Sequence, residues 1–479
     1  MPESSAPAPA DVLLLIADTG GGHRAAARAV AASLRHAYPG RFRPVLLDPL
    51  AGPGSAWLLR WLTRLYGPVV RRAPWLWGAA YRLTDSRPAM RLLEGTVLRL
   101  ADRPVRAAVT AHRPVAVVSF HPLTAGAAAR AAHSGGPRPP AVTVVTDLAG
   151  VHTSWLHAGA DWLVLPPGAP RGHPPAGPRW LELGVPVAAD FAGGPVTAGQ
   201  RAALRRRLGV AGAGFLAVLS GGGEGAGGLL RTARALTGSG ISVAIICGRN
   251  ERARRRLSRL AGRADGRLTV LGFVGNMPDW LRCADVLVTK AGPGTIAEAA
   301  CCGAPMLITS HLPGQEAGNV DLVVSAGAGR HVPRTGQLLR EIARLRGDPA
   351  ALAVMRAASA RLARPGAAAG AAALIARLAR HPEPTQTPLA QTPEPVRTPP
   401  LARAAAPASA PVPAVTPTLA GAVALASASV PAMAPVPTGA AAPAGAADAG
   451  RAAWAVSIAQ DPARAAEPAR TARPAVGAA

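Results

Sequence analysis

Two apolar runs in this chain break straight into glycine. Val12 to Ala17 (VLLLIA) gives way to Asp18-Thr19-Gly20-Gly21-Gly22-His23-Arg24, and Phe215 to Ser220 (FLAVLS) gives way to Gly221-Gly222-Gly223-Glu224-Gly225-Ala226-Gly227-Gly228. A helix-forming stretch follows each, AAARAVAASLRHA and LLRTARAL. Runs this short suit strands buried on both faces, the glycines let backbone amides turn toward a ligand, and a helix N-terminus adds partial positive charge. A chain that repeats this device is built to fold as strand-turn-helix units on parallel sheets.

The rhythm extends well beyond the glycines. VLLLIA, PVLLD, VAVVSF, AVTVVTD and DWLVLP alternate with Arg- and Ala-rich amphipathic stretches. After a Gly/Pro-rich joint around Asp190 to Thr197 the pattern restarts with FLAVLS, SVAIICG, LTVLGFV, DVLVTK and PMLITS. The 479 residues hold two or three domains. The pattern predicts the α/β class: two doubly wound, Rossmann-like domains over 11–190 and 212–382, joined by a linker over 191–211. Such sheets bind ligands at the carboxyl ends of their strands, so two domains in tandem create a cleft. Residues 1–10 and the Ala/Pro-rich tail 383–479 are expected to be disordered, because they bury too little apolar surface to offset chain entropy.

Lys plus Arg is 52 against 26 acidic residues, a net charge of +26 that favours anionic partners: phosphate-bearing substrates, an anionic membrane or nucleic acid. The tail is nearly charge-balanced, so the basic excess belongs to the folded body. The four cysteines, Cys247, Cys283, Cys301 and Cys302, match no zinc spacing and suit a reducing compartment. No Lys or Arg precedes the first apolar run, and prolines interrupt the uncharged part of the tail, so neither a signal peptide nor a transmembrane helix is expected.

Other segments carry polar chemistry at strand ends. Thr289-Lys290-Ala291-Gly292-Pro293-Gly294-Thr295-Ile296-Ala297-Glu298 follows DVLV and opens a helix. Two glycine loops at helix N-termini in one domain suit a diphosphate. GGGH fits neither the dinucleotide fingerprint nor a P-loop. Lys290 is the only lysine in the chain, and a functional lysine or an incidental one both fit. Glu298 suits ribose hydroxyls or a helix cap, and Gln315, Glu316 and Asn319 suit sugar hydroxyls or an ordinary loop. His23, at a helix start facing the cleft, is a candidate base or a plain helix-starting residue.

Taken together, DTGGGHR, SFHPL at 119–123, VVTDLAGVHTSW at 144–155, GVPV at 184–187, GGGEGAG, ICGRN at 246–250, GFVGNMPDW at 272–280, TKAGPGTIAEA and PGQEAGN at 313–319 stand in the order of a known family. From about Val12 to Ala328 the chain resembles the monogalactosyldiacylglycerol synthases and bacterial diacylglycerol glycosyltransferases, relatives of the lipid II-forming N-acetylglucosaminyltransferase. The resemblance implies the GT-B fold, two facing Rossmann-like domains, and an inverting hexosyltransferase with no metal or other cofactor. The N-terminal domain would take the lipid acceptor and the C-terminal domain the UDP-sugar.

Carried over by motif, the resemblance makes His23 the general base, with a usual pKa near 6.5 suited to that task. It puts UDP-sugar on Gly222, Gly223, Glu224, Gly225, Asn250, Lys290, Gly292, Gly294 and Thr295, uracil at Phe273, ribose on Glu298, and the hexose on Gln315 and Glu316 beside Asn319. Gly21, Gly22, His121, Asp147, His152 and Trp155 fall on the acceptor side. His152 is a candidate for headgroup or lipid phosphate contact, and Asp147 either tunes His23 or caps a strand.

Between the first units lies SAWLLRWLTRLYGPVVRRAPWLWGAAYRL, residues 55–83. As a helix it gathers Trp57, Leu58, Trp61, Leu62 and Leu65 on one side with Arg60 and Arg64 off it, and Trp75 and Trp77 follow Arg71 and Arg72. Trp and Arg on an apolar face suit a headgroup boundary, so peripheral binding at the cytoplasmic face of the cell membrane is expected; an ordinary core helix with basic rims is the other reading. The reaction expected is transfer of galactose or glucose from UDP to diacylglycerol. A UDP-N-acetylglucosamine transferase acting on another lipid is the alternative. ERARRRLSRL at 251–260 keeps a nucleic-acid binder as a distant third, although no recognition motif accompanies it and no nucleic-acid partner is expected.

Overall fold

The computed structural model describes residues 8–17, 21–52, 54–134, 138–157, 159–169, 177–210, 212, 214–225, 228–261 and 267–380. Asp18 to Gly20 of the first glycine loop, Ala226 and Gly227 of the second, and the tail 383–479 lie outside the described residues.

The first part runs β1 (Ala10–Leu15), α1 (Gly21–Ala37), β2 (Phe42–Leu47), α2 (Trp57–Arg72), α3 (Pro74–Thr84), α4 (Arg87–Gly95), α5 (Asp102–His112), β3 (Ala116–Ser119), α6 (Pro122–Ala132), β4 (Ala141–Val144), β5 (Trp162–Leu165) and β6 (Arg179–Glu182). The second runs α7 (Ala198–Arg207), β7 (Leu216–Ser220), α8 (Leu229–Thr237), β8 (Ser242–Ile246), α9 (Glu251–Ala261), β9 (Leu268–Leu271), α10 (Met277–Cys283), β10 (Val286–Lys290), α11 (Pro293–Cys301), β11 (Met306–Ser310), α12 (Ala317–Ser325) and β12 (Gly329–His331). Helices α13 (Thr335–Gly347), α14 (Pro349–Arg361) and α15 (Ala367–Arg380) close the described chain.

Each part builds an all-parallel, six-stranded sheet, ordered β2-β1-β3-β4-β5-β6 and β12-β11-β10-β7-β8-β9. The α/β, doubly wound class expected from the apolar rhythm is the architecture found. Both faces of each sheet are covered, and strand alternation divides the core accordingly. Val12, Leu14 and Ile16 pack on one side of β1 while Leu13, Leu15 and Ala17 pack on the other. Leu216 and Val218 separate from Phe215, Ala217 and Leu219 in the same way.

Four features depart from the sequence reading. The edge strands β6 and β12 are short and carry Arg, Glu or His, so their sequences read as loops. The segment expected as a linker, 191–211, contains α7, whose Thr197 and Gln200 form a reciprocal capping box. Residue Ala10, expected in a disordered N-terminus, begins β1. Helix α15, expected in the second domain, instead covers the first sheet beside α1, burying Ala368, Ala371, Ala372, Leu374, Ile375 and Ala376 in that core. Its amphipathic pattern announces a buried face without saying which sheet receives it.

The winding direction reverses between β1 and β3 in the first sheet and between β7 and β10 in the second. Loops leaving adjacent strands there splay to opposite sides and open a crevice. The described parts of both glycine loops, residues 21–22 and 221–225, follow the strands at these reversals, as do His121 and the 291–295 turn.

Candidate active site

His23 stands in the first turn of α1, and its Nδ1 lies 2.7 Å from the Thr146 hydroxyl. The ring also hydrogen-bonds the Phe120 backbone, and it meets the His121 ring edge-on with centroids 4.6 Å apart. Burial pushes the His23 pKa down from 6.5 to about 4, the Phe120 bond opposing this. His121 is buried at the start of α6, where its Nδ1 accepts the Leu123 N–H at 3.2 Å. Burial and the neighbouring His23 hold its pKa well below the usual imidazole value. Two neutral imidazoles therefore share this corner near neutral pH. Thr146 was not anticipated as a partner of His23; only its place in the strand-end motif VVTD pointed to the neighbourhood.

Asp147, next in the chain, spends its carboxylate on other partners. It is buried, accepts a hydrogen bond from Trp155 Nε1 at 2.6 Å, and takes another from Gln315 of the second domain. Burial pushes its carboxyl up to about 6, the two hydrogen bonds counter this, and nearby Glu316 adds to it. Trp155 is 1% exposed and so cannot face lipid. His152 is equally committed: Nδ1 lies 2.7 Å from Ser154 Oγ and Nε2 lies 3.0 Å from the Tyr81 carbonyl. Its ring nitrogens tie α3 to the 152–155 turn.

In the second domain the glycine loop is tightly nested. Gly222 and Gly225 have φ of +72° and +59°, and a methyl on Gly225 would come within 2.1 Å of the Cys247 carbonyl. Asn250 braces this nest by donating to the Gly225 carbonyl at 3.1 Å and accepting the Ala253 N–H at 2.9 Å. It is a support of the loop. Gly292 caps α11, with Pro293, Gly294 and Thr295 in its first turn. A methyl on Gly222 would lie 3.7 Å from Thr295 Oγ1, so the two anion-suited helix approaches converge.

Around them, Glu224 pairs with Arg249 at 2.9 Å, and the Arg249 guanidinium lies 5.0 Å from the centre of the exposed Phe273 ring. Burial alone pushes Glu298 up to about 7. Lys290 is ion-paired to buried Glu316, whose other oxygen accepts the Leu312 N–H at 2.8 Å. Asn319 donates to the Ala291 carbonyl at 2.8 Å and accepts the Ala149 N–H at 3.1 Å, so it stitches the two domains.

The two halves meet at glycine. A methyl on Gly21 would lie 3.8 Å from Gly223 Cα and 4.0 Å from Glu224 Oε1, while Gly22 faces open space. His23 therefore stands one helical step from the second domain's glycine nest.

Helices α2 and α3 lie on the first domain with an apolar exterior. Trp57 is 71% exposed, Trp61 51% and Trp75 69%, and Leu62, Leu76 and Leu83 are exposed beside them. The helix anchors through Leu59, not through the Trp side. Trp77 differs from Trp75 by turning inward onto Tyr66, with ring centroids 4.9 Å apart. The Arg-rich helix α9 buries only Leu257, and its Glu251 pairs with Arg254 and Arg255, as a solvated helix face does.

The family model described as monogalactosyldiacylglycerol (MGDG) synthase matches residues 23–167, and the glycosyltransferase family 28 C-terminal domain matches 221–369. Monogalactosyldiacylglycerol synthase 1, chloroplastic, of Arabidopsis thaliana is 32% identical over 376 residues, covering 75% of this chain and 69% of the relative. The probable monogalactosyldiacylglycerol synthase, chloroplastic, of Glycine max is 33% identical over 375 residues with the same coverage. Among solved structures, the glycotransferase of kitacinnamycin superposes with a TM-score of 0.51 at 16% identity, covering 78% of this chain and 99% of that one. A UDP-glucosyltransferase from Polygonum tinctorium gives 0.50 at 16% identity, covering 79% and 100%. These two likenesses concern the fold, which is GT-B. With relatives this similar across most of its folded length, the chain belongs to the monogalactosyldiacylglycerol synthase family of glycosyltransferases.

Proposed function

We propose that this protein transfers a hexose, galactose or glucose, from a UDP-sugar to the free hydroxyl of diacylglycerol, inverting the anomeric centre. The observation that carries the reading is the meeting of α1 and the 222–225 nest, with His23 beside the seam. The names of the relatives supply the galactosyl product and the diacylglycerol acceptor as the first pair to test.

In this reaction the acceptor oxygen attacks the anomeric carbon as the bond from that carbon to the UDP oxygen breaks. The proton passes to the neutral imidazole of His23, and the bonding electrons leave with UDP. A pKa lowered to about 4 keeps His23 unprotonated at neutral pH, and the Thr146 hydroxyl orients the ring. Charge developing on the diphosphate is met by backbone amides of 222–225 and the N-terminus of α11. Glu298 would take the ribose, the Phe273 backbone uracil, and Gln315 with Glu316 the hexose. Lys290, neutralised by Glu316, serves chiefly to fix that carboxylate.

The acceptor resides in a bilayer, and the exposed Trp57, Trp61, Trp75 and Leu76 beside Arg60, Arg64, Arg71 and Arg72 support peripheral docking on an anionic leaflet, the cytoplasmic face of the cell membrane. Among the described residues no helix is long and apolar enough to cross a membrane.

The test is mass spectrometry of lipid products after incubating the protein with diacylglycerol-bearing anionic liposomes and separate UDP-hexoses. A hexosyl-diacylglycerol is expected. Absence of product while UDP still binds would overturn diacylglycerol as the acceptor and turn attention to UDP-N-acetylglucosamine and another lipid.

A further inference from the structure

The loop 313–319 belongs to the second domain, yet the first domain holds much of it. Gln315 hydrogen-bonds Asp147, and Asn319 accepts the Ala149 N–H. Pro313 and Gly314 rest on α3. A methyl on Gly78 would lie 2.6 Å from Pro313 Cβ and 3.2 Å from its carbonyl oxygen. A methyl on Gly314 would lie 2.9 Å from Tyr81 Cδ1, and Gly314 has φ of +81°. Glycine thus appears on each side of the seam where any other residue would force the partners apart.

Positions 78 and 81 share one face of α3, three residues apart. Gly78 is the one buried residue of that helix, and glycine is disfavoured inside a helix relative to alanine, so its presence fits the closeness of Pro313. Tyr81 is gripped from behind. Its ring packs on His152 with centroids 4.4 Å apart, its hydroxyl reaches the Gly150 carbonyl at 3.4 Å, and its own carbonyl bonds His152 Nε2. His152 is itself buried and held by Ser154. Helix α3 is therefore a firm support, and the glycine-bearing loop is the part that adapts to it.

We propose that Gly78 and Tyr81 are positioning residues for the sugar-reading loop: by fixing Pro313 and Gly314 they set where Gln315 presents its side chain. The donor site is then completed by the acceptor domain. Gln315 fits this role, because one end of its amide is spent on Asp147 while Oε1 is buried with no hydrogen-bond partner. The proposal rests on the reading of Gln315 and Glu316 as hexose ligands.

The experiment compares binding of UDP-galactose, UDP-glucose and plain UDP to the full-length protein and to Gly78→Ala, Tyr81→Ala, Tyr81→Phe and Gln315→Ala, without acceptor, by calorimetry. Gly78→Ala pushes Pro313 away by about 1 Å, since carbon atoms pack at about 3.5–4 Å. Gly78→Ala and Tyr81→Ala are expected to weaken the preferred UDP-hexose by about tenfold and leave UDP unchanged. Tyr81→Phe, which keeps the ring, should retain near-normal binding of both. Unchanged hexose affinity in both Gly78→Ala and Tyr81→Ala overturns the proposal, as does an equal loss for UDP and UDP-hexose. Should Gly78→Ala not fold, the Tyr81 pair decides alone. If Gln315→Ala binds UDP-hexose normally, the hexose reading itself fails and the proposal with it. A loss in Gln315→Ala without a loss in the α3 variants sinks only the proposal.

Discussion

Gly21 and Gly223 face each other across the cleft, one from each domain, with room for a single methyl group between their backbones. The close approach brings both glycine turns to one edge of the cleft, beside the place proposed for the diphosphate. A methyl on Gly223 meets nothing closer than Arg249 Nη1 at 3.8 Å, and its backbone is not left-handed. Gly223→Ala should therefore melt like the parent protein while binding UDP about tenfold more weakly. Gly225→Ala should do the reverse first, losing about 1–3 kcal/mol of stability to its left-handed backbone and the Cys247 carbonyl. Thermal melts and UDP titrations of both variants check this; normal UDP binding by Gly223→Ala would move the diphosphate off this loop.

His23→Ala is expected to lower kcat by about 10²–10⁴-fold while UDP affinity holds. Thr146→Val should lower kcat by about tenfold with little change in KM, and Thr146→Ser should restore it. A base must be unprotonated, so activity rises with pH through its pKa. With His23 lowered to about 4, kcat/KM for the acceptor at saturating UDP-sugar should stay flat down past 6.5 and fall only toward 4. An acid limb at 6.5 in a measured profile would count against a buried His23 as the base.

Asp147 makes stability depend on pH in a direction opposite to that of an ordinary salt-bridged carboxylate. Its pKa is raised from 3.8 to about 6 in the fold, so its neutral form is favoured there. The associated stability is full below 3.8 and is lost as pH rises through about 6, with a ceiling of about 3 kcal/mol. Asp147→Asn removes that titration and keeps an acceptor for Trp155. Denaturant unfolding at acidic and neutral pH should show the parent losing ground to the Asn variant as pH rises. A difference independent of pH would place the Asp147 pKa at its ordinary value.

Replacing Trp57 and Trp61 by Ser removes exposed rings that pack little of the core, so melting should barely shift. Co-sedimentation with anionic vesicles should fall several-fold, each ring having contributed at the interface. Retained sedimentation would take α2 out of the docking surface.

Much of the architecture was legible because it is local. Alternating short apolar runs and amphipathic stretches announce parallel strands and their helices, and the glycine runs mark the reversals where loops splay. The short charged edge strands escaped because three or four residues carry too little pattern. The roles of His152, Asn250 and Trp155 escaped for another reason. Each is a polar residue in a recognisable motif, and only the fold reveals that its donors and acceptors are already spent on backbone or on Asp147. Thr146 is the converse case, an ordinary strand-end threonine until β4 is laid beside β3, one strand away from β1. The Trp-rich segment was legible as two alternatives, and the burial of Leu59 with exposure of Trp57 and Trp61 supports the docking surface proposed above over a core helix.

The chain passes from the first domain to the second near 184–197 and returns near 362–367 to lay down α15. The two crossings run side by side: a methyl on Gly184 would lie 2.8 Å from Arg364 Cβ, and one on Gly370 would lie 3.0 Å from Leu183. Two adjacent tethers act as the spine of a book. Such tethers would resist sliding more than rotation about the spine, and Gly184 and Gly194, at φ of +100° and +70°, lie beside that line. A single rotation about these tethers would part Gly21 from Gly223 and Gln315 from Asp147 together, because both contacts lie on the same seam between the domains.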